Sequence, residues 1–197
     1  MQEKDKFLEK INFLVLIFSL CLSHNLYAEK IYDKVFNYNN SLKSSSVSFI
    51  QTTQKNLQEG KVFFGDERIK INYTNPQKLT IILSEKKGVY INHELEESEF
   101  FLTKKSYIRF FFDIFHKKNY IKNMTFIQTG GQIEISEKIR IDNSIFNIRL
   151  IYENDPIKLR LLEVSSDDEQ IQMGFFNHTI EGTYDKKFFS MVDPYLN

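Results

Sequence analysis

Two neighbouring segments constrain the fold most. In residues 68–73 (RIKINY) apolar and polar side chains alternate strictly, the pattern of a strand with one wet face. In residues 78–83 (KLTIIL) both faces turn apolar, so this strand is covered on two sides. The link between them, Thr74-Asn75-Pro76-Gln77, holds a turn-forming Asn-Pro. A sheet coated twice in a chain of this size implies a packed core against one face and an apolar hollow against the other.

Residues 1–28 read as a secretion signal. Residues 13–23 (FLVLIFSLCLS) form an apolar run of about 11 residues, within the range of a signal h-region. That is too short to span a bilayer, which takes about 20 residues. Asn25-Leu26-Tyr27-Ala28 follows, and cleavage is expected after Ala28. The amino-terminal region mixes its lysines with Glu3, Asp5 and Glu9, and Leu26 stands where a small residue is usual, so a retained membrane anchor is the alternative. Leu20 sits where a lipid-attachment signal places a small residue, which argues against lipidation of Cys21.

Cleavage leaves residues 29–197 as a single domain. The one cysteine departs with the leader. The remainder has no intramolecular disulfide, no thiol nucleophile and no cysteine metal site. Charge is balanced at 26 basic and 26 acidic residues, without the basic stripe that nucleic acid binding requires. Aromatic residues are abundant, with 19 Phe and 10 Tyr.

Residues 29–42 form the clearest helix: Ile31, Val35, Tyr38 and Leu42 fall on one stripe. Strands follow at residues 47–53, 61–64, 68–73, 78–83, 89–92 and 99–102, at the spacing of an antiparallel meander. Residues 107–115 (YIRFFFDIF) interrupt the series. Read as a helix they are apolar nearly all round, and must be covered on most sides or cover something; a buried strand is the alternative. Gly130-Gly131 marks a hairpin between 125–129 and 132–139. Residues 146–152, 159–164 and 170–176 complete about ten strands. The tail, 183–194, is irregular. The expected fold class is mainly β (α+β): one curved antiparallel sheet, with helices plugging its concave side.

The sequence selects no catalytic centre. It has neither a G-x-S-x-G elbow nor a phosphate-cradling glycine loop, and His93-Glu94 lacks the second His of a zinc helix. His93, His116 and His178 are expected to be solvent-facing or individually hydrogen-bonded. Glu94, Glu96, Glu97 and Glu99 form an acidic run that is either a solvated strand edge or a docking surface. The aromatic segment is either core or a lid over an apolar cavity.

The order of elements carries a family resemblance. A leader and a short helix precede Ser48-Phe49-Ile50-Gln51, Glu59-Gly60-Lys61-Val62-Phe63-Phe64, Arg68-Ile69-Lys70-Ile71-Asn72-Tyr73 and Pro76. Near the end, Leu150-Ile151-Tyr152 and Pro156-Ile157-Lys158-Leu159 precede Met173–Asn177 and a closing Phe189 to Pro194. This resembles LolA, the periplasmic carrier of outer-membrane lipoproteins, over essentially the whole of residues 29–197. The resemblance implies an unclosed β-barrel lidded by helices, a cavity for acyl chains of lipoproteins, and no cofactor. It also implies an inner-membrane ABC transporter, LolCDE, as donor and an outer-membrane receptor, LolB or a substitute, as acceptor. The family carries Arg-Pro just before the strand matching residues 69–73, and that Arg latches the lid. Here Gly65 and Asp66 hold those positions, and Arg68 is the nearest substitute latch.

On this reading the chain is a monomeric carrier without enzymatic activity. The cavity candidates on the strands are Phe49, Ile69, Ile71, Tyr73, Leu79, Ile81, Leu83, Ile148, Leu150, Leu161, Met173 and Phe175. The lid candidates are Ile31, Val35, Tyr107, Phe111, Ile114 and Phe115, the last three also facing the cavity. Competing readings are a regulator of the RseB kind on a related fold, a carrier of phospholipid or glycolipid, and a small periplasmic hydrolase.

Overall fold

A computed structural model of the protein describes residues 31–54, 56–106, 108–167, 169–180 and 182–195. The expected leader and its cleavage site, residues 29 and 30 of the expected first helix, and Tyr107 lie outside the described residues. Helix α1 occupies residues 31–41. Six strands follow: β1 Ser45–Thr53, β2 Leu57–Phe64, β3 Ile69–Asn75, β4 Leu79–Leu83, β5 Lys87–Asn92 and β6 Glu97–Leu102. A short 3-10 turn, Thr103–Lys105, leads into helices α2, Ile108–His116, and α3, Lys118–Lys122. The chain returns to the sheet as β7 Thr125–Thr129, β8 Gln132–Ile141, β9 Ser144–Asn154, β10 Ile157–Ser165 and β11 Gln170–Ile180.

All the strand pairs are antiparallel, in the order β6-β5-β4-β3-β2-β1-β11-β10-β9-β8-β7. Over the described residues the protein is therefore mainly β: one curved sheet of eleven strands that does not close, with β6 and β7 as its edges. Two meanders, β1–β6 and β7–β11, are joined through the β1–β11 pairing. The connection between the two edges is the stretch that carries α2 and α3. That stretch must cross the concave side, which is why its helices cover the sheet.

Residues 107–115 thus resolve as a helix over the described part, and eleven strands replace the expected ten. Ser106 starts α2: its side-chain oxygen accepts from the Ile108 N–H at 3.3 Å. Helix α3 was not anticipated, because five residues are too few to show a period.

The main core lies on the concave side, where the α1 stripe (Ile31, Val35, Leu42) and the α2 aromatics meet Phe49, Val62, Ile69, Leu83, Ile148 and Leu150. Gly60 permits one close contact within it. A Cβ there would lie 2.7 Å from the Phe49 ring and 2.1 Å from the Asn72 carbonyl oxygen. Without it, Phe49 and Tyr73 meet edge to face across β2, their centroids 5.1 Å apart.

The convex side has its own smaller cluster: Ile82, Val89 and Ile91 under Met191, with Tyr195 against them. The double coating of β4 is real, but its cause differs from the expectation. Core and hollow share the concave face, and the second apolar face is sealed by the carboxy-terminal segment. Arg68 Nη1 donates to the Phe189 carbonyl at 2.6 Å, and Lys70 Nζ donates to the Phe188 carbonyl at 3.2 Å while lying 4.2 Å from that ring's centroid. His93 adds a third tie, bridging Thr80 and the Tyr195 hydroxyl at 2.8 and 2.9 Å.

Candidate functional site

Between the sheet and α2 lies an apolar hollow of about 100 Å³. One wall is Ile71, Tyr73 and Ile81, from β3 and β4. The opposite wall is Leu162 and Val164 of β10 with Ile171 and Met173 of β11, and the roof is Ile108, Phe110 and Phe111 of α2. Gln51 supplies the polar spot: its amide oxygen accepts from the Tyr73 hydroxyl at 3.0 Å, and its amide nitrogen donates to Gln58 at 3.1 Å.

Strand register explains which candidates meet here. Ile69, Ile71 and Tyr73 lie opposite Leu83, Ile81 and Leu79, so one face of β3–β4 carries all six. Of these, Ile71, Tyr73 and Ile81 line the hollow. Ile69 and Leu83 fill the core beside it, and Leu79 is buried next to Tyr73. Met173 lines the hollow; Phe49, Ile148, Leu150 and Phe175 belong to the packed core.

Leu161 is misplaced by the sequence reading. The β9–β10 register shifts between Leu159 and Leu161, so Leu162, not Leu161, lies opposite Leu150 and Met173. Strict alternation from Leu159 would place Leu161 inward; the bulge hands that position to its neighbour. Of the lid candidates, Phe111 roofs the hollow, whereas Ile114 and Phe115 pack into the core, where the Phe115 and Phe64 rings lie 4.7 Å apart. Ile31 and Val35 are buried on α1, away from the hollow's lining. Val164 and Ile171 were missed, although Val164 shares a phase with Leu162 and Ile171 with Met173. Ile108 and Phe110 were missed because an all-round apolar helix does not reveal which stripe faces inward.

Helix α2 is held mostly near its ends. His116 stacks on Phe112, and its ring nitrogens approach two carbonyl oxygens, that of Phe112 at 3.1 Å and that of Gly65 at 3.2 Å. Burial keeps its pKa below the ordinary histidine value. A neutral ring donates to only one of those carbonyls. On the outer face Asp113, nearly buried, pairs with Arg109 at 2.7 Å and Lys117 at 3.2 Å. Both cations also reach Glu85 in the β4–β5 turn, Lys117 at 2.8 Å and Arg109 at 3.9 Å. Hydrogen bonding to Lys117 holds the Glu85 carboxyl below its usual range.

Arg68 therefore does not latch α2; it ties the carboxy-terminal segment through the Phe189 carbonyl. A Cβ at Gly65, in the β2–β3 turn, would come within 2.8 Å of the Phe189 ring, which would have to shift to make room. The contact between lid and β2–β3 turn is supplied from the helix side, by His116.

Helix α1 is held differently. Tyr38 accepts from the Leu159 N–H at 3.1 Å and donates to His178 Nδ1 at 3.0 Å, while His178 Nε2 donates to the Leu159 carbonyl at 3.1 Å. One neutral tautomer of His178 satisfies all three bonds. Burial lowers the His178 pKa and raises that of Tyr38 to about 12. Asn39 accepts from the Tyr152 hydroxyl and donates to the Ile114 carbonyl, both at 3.3 Å, and Tyr32 donates to the Lys118 carbonyl at 2.7 Å. The three histidines among the described residues thus stand apart, each with its own partners. Among the described residues no three His, Cys, Asp or Glu side chains are grouped to hold a metal ion.

No protein-family profile matches the sequence, and neither does any curated protein. Solved structures match in fold. An uncharacterized conserved protein from Thermus thermophilus superposes with a TM-score of 0.54 at 6% identity, over 83% of this chain and 92% of that one. The likeness shows a shared fold. MucB of Pseudomonas aeruginosa, solved in complex with MucA, gives a TM-score of 0.47 at 6% identity over 84% of this chain and 61% of that one. LprF from Mycobacterium bovis gives 0.39 at 13% identity over 80% and 95%.

Proposed function

We propose that the protein is a periplasmic, non-enzymatic carrier that shelters the acyl chains of lipoproteins between the inner and outer membranes. The observation that carries the reading is an apolar hollow roofed by a helix tied down near its ends. Each methylene that leaves water for such a site gains about 0.8 kcal/mol, enough to hold an acyl chain yet divisible enough to hand it on. Drug-sized ligand sites measure about 300–1,000 Å³. The hollow has about 100 Å³, so it is a closed state, and cargo entry requires α2 to move away from the sheet. In its closed state the site leaves little empty apolar surface, which suits a carrier between loads.

Ile71, Tyr73, Ile81, Leu162 and Met173 would then contact the chains, with Phe110 and Phe111 as the moving cover. The Gln51–Tyr73 pair would meet the ester or amide end of a chain. LolCDE as donor and LolB, or a substitute, as acceptor complete the proposal, with the chain working as a monomer after loss of residues 1–28. The test is purification from the periplasm followed by mass spectrometry of what travels with the protein. Lipoprotein supports the reading. Phospholipid or glycolipid redirects it to another lipid cargo, and an unloaded protein that also fails to accept a synthetic lipopeptide removes it.

A further inference from the structure

The acidic run lies on the open edge of the sheet. Among the described residues β6 pairs with β5 alone, so its outer backbone N–H and C=O groups face away from any strand. Edge strands are commonly blunted by charged side chains, especially Lys, by Pro or by a bulge, and here Glu97 and Glu99 supply the only charges on the strand. Residues 97–102 contain neither Lys nor Pro, and the β5–β6 register runs without a shift. Phe101 packs closely over Gly88 of the neighbouring strand, where a Cβ would come within 2.3 Å of its ring.

The two faces of this edge differ in chemistry. Phe100 lies opposite Val89 and shares the convex face with Leu102; these two are 52% and 50% exposed. Glu97 and Glu99 lie opposite Asn92 and Tyr90 on the concave face. Among the described residues neither glutamate forms an ion pair, nor does Glu96 or Glu94, though Glu94 accepts from the Lys78 N–H at 3.4 Å. A groove of about 450 Å³ lies at the amino-terminal end of the strand, lined by Tyr90, Leu95, Glu97 and Glu99 together with Asp193 and Tyr195 of the carboxy-terminal segment.

We infer that β6 is a docking edge for an extended segment of a partner protein in which apolar and cationic residues alternate. Such a segment adds a twelfth strand. Its backbone completes the ladder, its apolar side chains lie beside Phe100 and Leu102, and its Lys or Arg side chains lie beside Glu97 and Glu99. The chemistry disfavours a second copy of this chain at the same edge. Two copies would bring both acidic runs onto one short ladder, and Lys104 and Lys105 sit in the 3-10 turn, off the line of the strand. The carboxylates therefore bar self-pairing and select a cationic strand. This inference does not depend on the carrier reading.

The test uses a fluorescent octapeptide of alternating Lys and Val, followed by anisotropy with the intact protein. A peptide of the same composition with its lysines and valines in two blocks is the control. The alternating peptide is expected to bind at least tenfold tighter than the block peptide, to weaken with salt, and to shift the amide resonances of residues 97–102. The double substitution Glu97→Lys, Glu99→Lys should weaken it at least tenfold, and Phe100→Ser several-fold, at unchanged thermal stability. Equal binding of the two peptides, indifference to both substitutions, shifts confined to another strand, or a wild-type dimer in sedimentation that Glu99→Lys strengthens would each overturn the inference.

Discussion

Helices α1 and α2 cover the same sheet by opposite means. Helix α1 is fastened along its length by neutral hydrogen bonds to β9, β10, β11 and α3, several of them buried. Helix α2 buries more aromatic surface and has fewer polar ties: one histidine to the β2–β3 turn, an ion cluster to the β4–β5 turn, and a single buried hydrogen bond, accepted by the Ile114 carbonyl from Asn39 of α1. Apolar contact is non-directional and can be exchanged for contact with an acyl chain. A buried hydrogen-bond network cannot be exchanged that way, because each partner left behind costs about 1–3 kcal/mol. On the proposed carrier reading α1 is the fixed plug and α2 the part expected to move.

The sharpest way to break this contrast is to spoil the surface under α2. Ile81→Glu places a carboxylate on the hollow's wall. Lipid retention should be lost altogether while export and circular dichroism remain normal. Unchanged retention in the folded variant would remove that strand face from the site. Next in size is Tyr38→Phe, which strands the Leu159 N–H and the His178 ring at once. A loss of about 2 kcal/mol is expected, or a fall in Tm of about 4–8 °C by calorimetry, with lipid loading little changed.

The pH dependence should draw on both helices, because burial lowers the pKa of His178, the partner of Tyr38 on α1, and of His116 on α2. His178 must be neutral to accept from Tyr38, and its folded pKa is lowered, so its stabilising contribution is complete above the unfolded value near 6.5. It is lost as pH falls below that value and through the folded one. Thermal melts across pH 8 to 5 should show this decline, and the decline should shrink in His178→Gln. His116→Leu comes next. It removes the tie to Gly65 and should cost about 1 kcal/mol or less while speeding uptake of a fluorescent acyl probe. Glu85→Ala has the smallest expected effect, a modest rise in loading rate with no measurable change in Tm, because its ion pairs are exposed. Slower loading in either His116→Leu or Glu85→Ala would reverse the assignment of fixed and moving helix.

Much of this was readable from spacing, and the exceptions share a cause. The face that unites Ile69, Ile71 and Tyr73 with Leu79, Ile81 and Leu83 follows from alternation and one turn. Alternation fails at Leu161, where a bulge shifts the phase, and no residue type marks the bulge. The hollow's side of the sheet was not legible either, because Ile82 looks as apolar as Ile81 until Met191 and Tyr195, more than a hundred positions away, are seen to cover it. Tyr38 carried the stripe of a helix; that its hydroxyl would organise His178 and Leu159 is a matter of tertiary contact. The same holds for His116 and Gly65, two ordinary residues whose roles exist only together.

One further consequence lies in the route of the chain. The stretch that bears the cover begins where one rim of the sheet ends and finishes where the other rim starts. A flap joined at a single hinge swings freely; a strap sewn to both sides of an opening does not. Spreading the rims must draw the strap taut, and slackening it must let them approach, so gape and cover form one mechanical variable.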